Sequence, residues 1–222
     1  LGDVPGEVWG GIGVPDAVWL MGVWERSPAG RAMALERDSL RRQFDVALPG
    51  WTPDDVAGSP YCVRRYVVDE ALGGRAGLAA ARDELARRGI ALILDYVPNH
   101  VAPDHPWVTA HPEYFIRGSD DDLAQAPEAY FKAGGLILAK GRDPHFAPWP
   151  DVVQLNAFHQ GLRAATITTL IDIGGQCDGL RCEMTMLLTN QVFARTWGEQ
   201  AGEPPAAAFW LGVPAAVPAG HP

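Results

Sequence analysis

Three apolar runs of strand length, each followed by a loop and then a helix-forming stretch, predict an α/β fold on a parallel sheet. The runs are AVWLMGVW (17–24), IALILDYV (90–97) and DGLRCEM (178–184). Two of them follow a helical stretch across glycine: GLAAARDELARRG (77–89), with Gly89 at its end, and LRAATITTLIDIGGQ (162–176), with Gly174 and Gly175 at its end. Each run closes on polar side chains: Trp24 to Arg26, then Asp95 to His100, then Arg181 and Glu183. In parallel α/β folds the chemistry gathers at the carboxyl ends of the strands.

In chain order, residues 1–13 are glycine-rich and unpatterned. GGIG (10–13) lacks a preceding strand and the spacing of a dinucleotide fingerprint. Residues 17–24 suit one strand covered on both faces. Residues 25–60 carry charges, proline and glycine and read mostly as a long loop, with a short helix within SPAGRAMALERDSLRRQF. SPYCVRRYVVDEALGG (59–74) mixes aromatic and charged residues at a turn. GLAAARDELARRG is the strongest helix, rich in Ala, Leu, Glu and Arg. Residues 101–150 form an irregular inserted segment, and an excursion of that length between strand and helix points to function. DVVQLNAF (151–158) suits a short strand and MLLTNQVFARTWGEQ (186–200) a helix. The tail AAAFWLGVPAAVPAGHP offers a helix that Pro214 and Pro218 would break. The whole chain, 1–222, reads as one domain containing the 101–150 insertion.

Composition narrows the function classes. A formal net charge of -9, with no long basic cluster, excludes nucleic acid and anionic membranes as expected partners. No apolar run reaches the ~18 residues of a membrane span. Cys62, Cys177 and Cys182 are an odd set without metal-site spacing, so neither a disulfide framework nor a zinc site is expected. Buried thiols suit a reducing compartment, and a cytoplasmic location is the expectation. LGGRAG (72–77) lacks the first glycine of a nucleotide fingerprint and so excludes that class. Eight Trp and 19 Pro point to structured loops carrying aromatic side chains over a rigid scaffold.

The stretch CDGLRCEMTM (177–186) carries the chemistry. Arg181 and Glu183 stand two residues apart, so on a strand both face the same way. Opposite charges among small and apolar neighbours are costly unless paired or functional. Two readings stand: an ion pair without catalytic duty, or a carboxylate held ionised by its arginine. Asp95 is likewise a lone carboxylate in an apolar strand. Trp24, Trp107 and Trp149 suit either core packing or stacking on a ligand face.

Five segments in order resemble the α-amylase superfamily, glycoside hydrolase family 13. DYVPNH (95–100) is similar to its first conserved region, and GLRCE (179–183) to its second, Gly-x-Arg-x-Asp. AVWLMGVW resembles the second barrel strand, SPYCVRRYVVDEALGG the segment with an active-site Tyr, and VVQLN (152–156) the short region after the inserted domain. The resemblance implies a TIM-type (β/α)8 barrel of which strands 2–4 are represented, with a small inserted domain after strand 3. It implies a retaining glycosidase acting on α-glucans or maltooligosaccharides. Glu183 falls at the nucleophile position and Arg181 beside it would orient it. Asp95 would hold Arg181, while Tyr61 and His100 would contact the sugar. Asn99 either caps the turn or binds calcium, although Leu187 stands where the family often places a calcium-site His; otherwise no metal or cofactor is expected. Glu stands where the pattern has Asp, and nothing after Trp197 resembles the region that carries the acid/base Glu. The expectation is therefore a truncated, weakly active or inactive piece, or a non-catalytic carbohydrate-binding or regulatory relative.

Overall fold

The structure, a computed structural model, describes residues 15–133 and 135–213. The GGIG stretch and the proline-broken end of the tail lie outside the described residues.

The apolar run 17–24 is not one strand. It splits into β1 (Ala17–Leu20) and β2 (Trp24–Arg26) around a turn at Gly22, where φ is +67°. An isolated glycine within a strand pattern marks such a close approach. A Cβ on Gly22 would run into Pro60, so the turn admits no side chain. Residues 25–60, expected to be mostly loop with one short helix, hold two helices, α1 (Pro28–Glu36) and α2 (Asp38–Ala47). Ser27 caps α1, accepting from Gly30 N at 2.8 Å, with Pro28 at the first helical position. The expected turn 59–74 contains β3 (Val63–Val68), antiparallel to β2.

Next come α3 (Gly74–Arg87) and β4 (Ala91–Tyr96). Leu78, Ala81 and Leu85 form the buried stripe of α3, at the three- and four-residue spacing of one helix face. The inserted segment has regular structure of its own. It contains β5 (His100–Val101), α4 (Trp107–Ala110), α5 (Asp120–Gln125) and a hairpin of β6 (Tyr130–Ala133) with β7 (Leu136–Ala139). The chain returns through β8 (Val153–Gln154), antiparallel to β5. A small apolar core binds this segment together: Val101, Val108, Tyr114, Phe115, Leu138, Val153 and Leu155 are buried. Finally α6 (Gln160–Gly174), β9 (Gly179–Cys182), α7 (Asn190–Trp197) and α8 (Phe209–Gly212) follow.

The predicted parallel sheet is present, in the order β1-β4-β9. It is open, and the described residues do not close a barrel. Its two faces differ, because in-register residues of parallel strands share a face. Leu92, Leu94 and Tyr96 of the central strand are 0–1% exposed and pack with Val18, Leu20, Leu180 and Cys182 in the main core, together with Leu78, Leu85, Leu170, Ile173 and Phe193. The opposite face carries Trp19 opposite Ile93, Ile93 opposite Gly179, and Asp95 opposite Arg181. Trp19 there is 40% exposed, so β1 is not covered on both faces as its apolar sequence predicts. No helix among the described residues is long and apolar enough to cross a membrane.

Candidate active site

The carboxyl ends of β4 and β9 are fixed from below by aromatic anchors. The Trp24 indole donates to the Asp95 carbonyl at 2.8 Å. The Tyr66 hydroxyl donates to the Val97 carbonyl at 3.1 Å and accepts from the Val97 amide at 2.9 Å. At the start of β9, the Asp178 carboxylate accepts from Leu92 N at 2.8 Å and from Arg82. The Glu183 amide extends the ladder by donating to Tyr96 O at 2.8 Å. The chain then turns sharply at Met184, whose φ of +52° is left-handed. For a residue with a side chain that conformation costs on the order of 1 kcal/mol.

On the uncovered face, Arg181 pairs with Glu183. The guanidinium carbon lies 4.3 Å from the ring centroid of Trp19, reaching across β4 to the neighbouring strand. A cation over an indole face within about 6 Å is attracted by the ring quadrupole. The Tyr61 hydroxyl also acts on this guanidinium, and it contacts Met21 Sδ at 3.1 Å. The pair is not sealed in the core: the Arg181 side chain is 40% exposed and that of Glu183 is 19%. Glu183, Arg181 and Tyr61 are thus brought together at one mouth.

Asp95, in register with Arg181 on the adjacent strand, forms no ion pair with it. It is 1% exposed. Its Oδ1 accepts from the Gly22 amide at 3.3 Å, and its Oδ2 is buried without a partner. Burial raises the Asp95 pKa above the ordinary carboxylate value, opposed by the Gly22 amide and by Arg181. The expected Asp95–Arg181 contact is replaced by Arg181–Trp19, since Arg181 keeps part of its hydration that way.

His100 and Asn99 are 6% and 1% exposed. Trp149 covers the His100 ring, with centroids 5.1 Å apart. His100 Nδ1 faces Asn99 Nδ2 at 3.2 Å, and the ring also bonds the Tyr61 main chain. Burial lowers the His100 pKa to about 4, so the ring is neutral. Both oxygens of Asn99 accept from Gln154. Its Oδ1 accepts from Gln154 Nε2 at 3.1 Å and its carbonyl accepts from the same nitrogen at 2.9 Å. The residues around Asn99 therefore do not fit calcium, and no cluster of three acidic, His or Cys ligands exists among the described residues. Of the three tryptophans weighed from sequence, Trp24 is core, 1% exposed, while Trp107 and Trp149 are half-buried.

Sequence reasoning missed Trp19, Met21 and Gly22, and placed Arg26 at a strand end without giving it a role. Arg26 donates to Gly22 O at 2.9 Å and to Gly58 O at 3.0 Å, tying the β1–β2 turn to the loop that carries Tyr61. The glycine inside AVWLMGVW was the available signal.

No protein-family profile and no curated protein sequence matches the chain. Solved structures do. A noncanonic maltogenic α-amylase from Thermotoga neapolitana aligns with a TM-score of 0.55 at 22% identity, over 86% of this chain and 36% of that one. The α-amylase from H. orenii gives 0.54 at 17% identity, over 82% and 33%. A trehalose-6-phosphate hydrolase from Bacillus licheniformis gives 0.52 at 16% identity, over 84% and 33%. The chain spans about a third of the length of these structures. At these identities the likeness is one of fold, and it agrees with the resemblance to part of an α-amylase-type domain carried by DYVPNH and GLRCE.

Proposed function

We propose that the chain is part of a retaining glycoside hydrolase acting on α-glucosidic bonds, with the β1-β4-β9 sheet forming one wall of a (β/α)8 barrel. The observation that carries this reading is the Arg181–Glu183 pair at the carboxyl end of β9, open to solvent beside Tyr61, with Arg181 in register with Asp95.

A retaining glycosidase uses one carboxylate as nucleophile and a second carboxyl group about 5 Å away as acid and then base. Glu183 suits the first role. Its oxygen would attack the anomeric carbon to form a glycosyl ester as the glycosidic C–O bond breaks, with the acid group protonating the leaving oxygen; water, deprotonated by the same group, would then cleave the ester to free sugar and carboxylate. Arg181, paired with Glu183, holds the carboxylate aimed. Tyr61 offers a ring and a hydroxyl to the sugar at the same mouth. On the described sheet face the other carboxylate is Asp95, which is buried and unsuited to protonate a leaving group. The substrate is an α-glucan or maltooligosaccharide, and the domain comprises 1–222 with 101–150 as its insertion.

Glu places its carboxylate about one methylene, roughly 1.5 Å, beyond the reach of Asp. A misplacement of about 1 Å costs on the order of 100-fold in rate. The test is maltooligosaccharide hydrolysis by the full-length protein and its variants. Glu183→Gln should abolish any turnover, and Glu183→Asp should raise it on the order of 10- to 100-fold. Absence of turnover in both wild type and Glu183→Asp would refute the hydrolase reading. The seclusion of Asp95 favours a second reading, a carbohydrate-binding relative without catalysis. Calorimetry with maltotriose separates the two: binding heat without turnover selects it.

A further inference from the structure

Three carbonyl oxygens converge on one nitrogen at the junction between the sheet and the inserted segment. Gln154 Nε2 lies 2.9 Å from Asn99 O, 3.0 Å from Leu155 O and 3.1 Å from Asn99 Oδ1. The other end of the same carboxamide, Oε1, accepts from Asn99 Nδ2 at 3.2 Å. The orientation of the amide is therefore fixed by its surroundings: oxygens gather at one end and an N–H group at the other. Gln154 is 0% exposed and Asn99 is 1% exposed, so the network is shut off from bulk solvent.

A cage of neutral oxygens around one centre is what a hard divalent cation uses, at metal–oxygen distances of about 2.3–2.6 Å. Here the centre is an NH2 group that has two protons for three acceptors. The cage does mechanical duty. Asn99 precedes β5 and Gln154 lies in β8, the two strands that enter and leave the inserted segment. The main chains meet at the same place, with Leu155 N donating to Asn99 O at 3.1 Å.

We propose that the Gln154 carboxamide is a built-in substitute for a divalent cation, holding the inserted segment onto the sheet and making that junction independent of metal. The geometry also says how to reverse the arrangement. Gln154→Asp shortens the side chain by one methylene and leaves the amide nitrogen's place vacant. A carboxylate then stands behind the three oxygens, which repel it unless a cation enters between them.

The test is thermal unfolding of the protein and two variants in millimolar EDTA and in millimolar CaCl2, with calorimetric titration of CaCl2 into wild type. Wild type should melt within about 1 °C in the two buffers and give no binding heat. Gln154→Asp should melt on the order of 5 °C or more below wild type in EDTA and recover in CaCl2. Gln154→Ala should lose stability equally in both. A rise in wild-type melting temperature with calcium, or calcium-binding heat in wild type, overturns the assignment. So does Gln154→Asp melting alike in both buffers, or Gln154→Ala melting as wild type does. Should Gln154→Asp fail to fold, the wild-type titration and Gln154→Ala still decide.

Discussion

Acid should unfold this protein through His100 and His105 well before its carboxylates are neutralised. Both rings are 6% exposed. His100 is lined by the Asn99 amide, the Tyr61 main chain and the Trp149 ring, none of them negatively charged. Protonation would also put an N–H on Nδ1 against the Asn99 amide nitrogen. Burial therefore lowers the pKa from the ordinary 6.5 to about 4. His105 is lowered to about 4 as well, chiefly by burial, with Asp104 opposing and Arg64 assisting. Above pH 6.5 both folded and unfolded chains hold neutral rings, and the full stability is present. As pH falls from 6.5 towards 4, the unfolded chain takes up protons that the folded chain refuses, so stability falls; below about 4 the loss levels off. A drop from 6.5 to about 4 corresponds to roughly 3 kcal/mol for each ring. Asp95 acts in the opposite sense just above its ordinary value of 3.8, where the folded state holds a proton that the unfolded chain has lost. The assay is urea unfolding followed by tryptophan fluorescence at a series of pH values from about 7 to about 5. His100→Asn keeps a short polar side chain and removes one titration, so it should remove about half of the slope of stability against pH. An unchanged slope in His100→Asn would refute the reasoning.

Two further substitutions probe the scaffold. Leu94→Ala, at a position 0% exposed in the central strand, should cost about 2–5 kcal/mol by chemical denaturation. Gly22→Ala places a side chain at φ +67° and against Pro60, so a loss of about 2 kcal/mol or more is expected in the same assay. A Gly22→Ala protein as stable as wild type would show that the turn tolerates a Cβ and that Asp95 is not fixed by this main chain.

The parallel sheet was legible because apolar runs of strand length alternate with helical spacing, and periodicity is a local property. The helix predicted over 77–89 spans Gly74–Arg87, and the short strand expected in 151–158 is Val153–Gln154. Illegible was whatever depends on which face of a strand finds a cover. Residues 17–24 are uniformly apolar, yet Trp19 stands in the open while Trp24 is 1% exposed. Of α1 and α2 only one short helix was legible, because propensity in a charged, proline-bearing segment is weak until tertiary contacts select it. Arg181 and Glu183 were placed together by strand periodicity alone. The partner of Arg181 was not, because a side chain of that length reaches a neighbouring strand that local sequence does not identify.

The choice that Arg181 makes follows from desolvation. To reach Asp95 Oδ2, the guanidinium would have to descend into a site where the carboxylate is 1% exposed. Stripping water from an arginine costs several kcal/mol, and a single carboxylate already engaged by an amide at 3.3 Å repays it poorly. Lying across Trp19 covers one flat face of the guanidinium with an indole, which is weakly hydrated in any case, while its edge keeps water and Glu183. Asp95 then stays unpaired, and burial raises its pKa against the lowering by the Gly22 amide and the Arg181 charge. The two carboxyl groups of this face are therefore driven apart in character by their surroundings. Glu183 is paired and reaches solvent; Asp95 is enclosed and holds its proton more tightly. Of the two, Glu183 is the one that fits the nucleophile role proposed above.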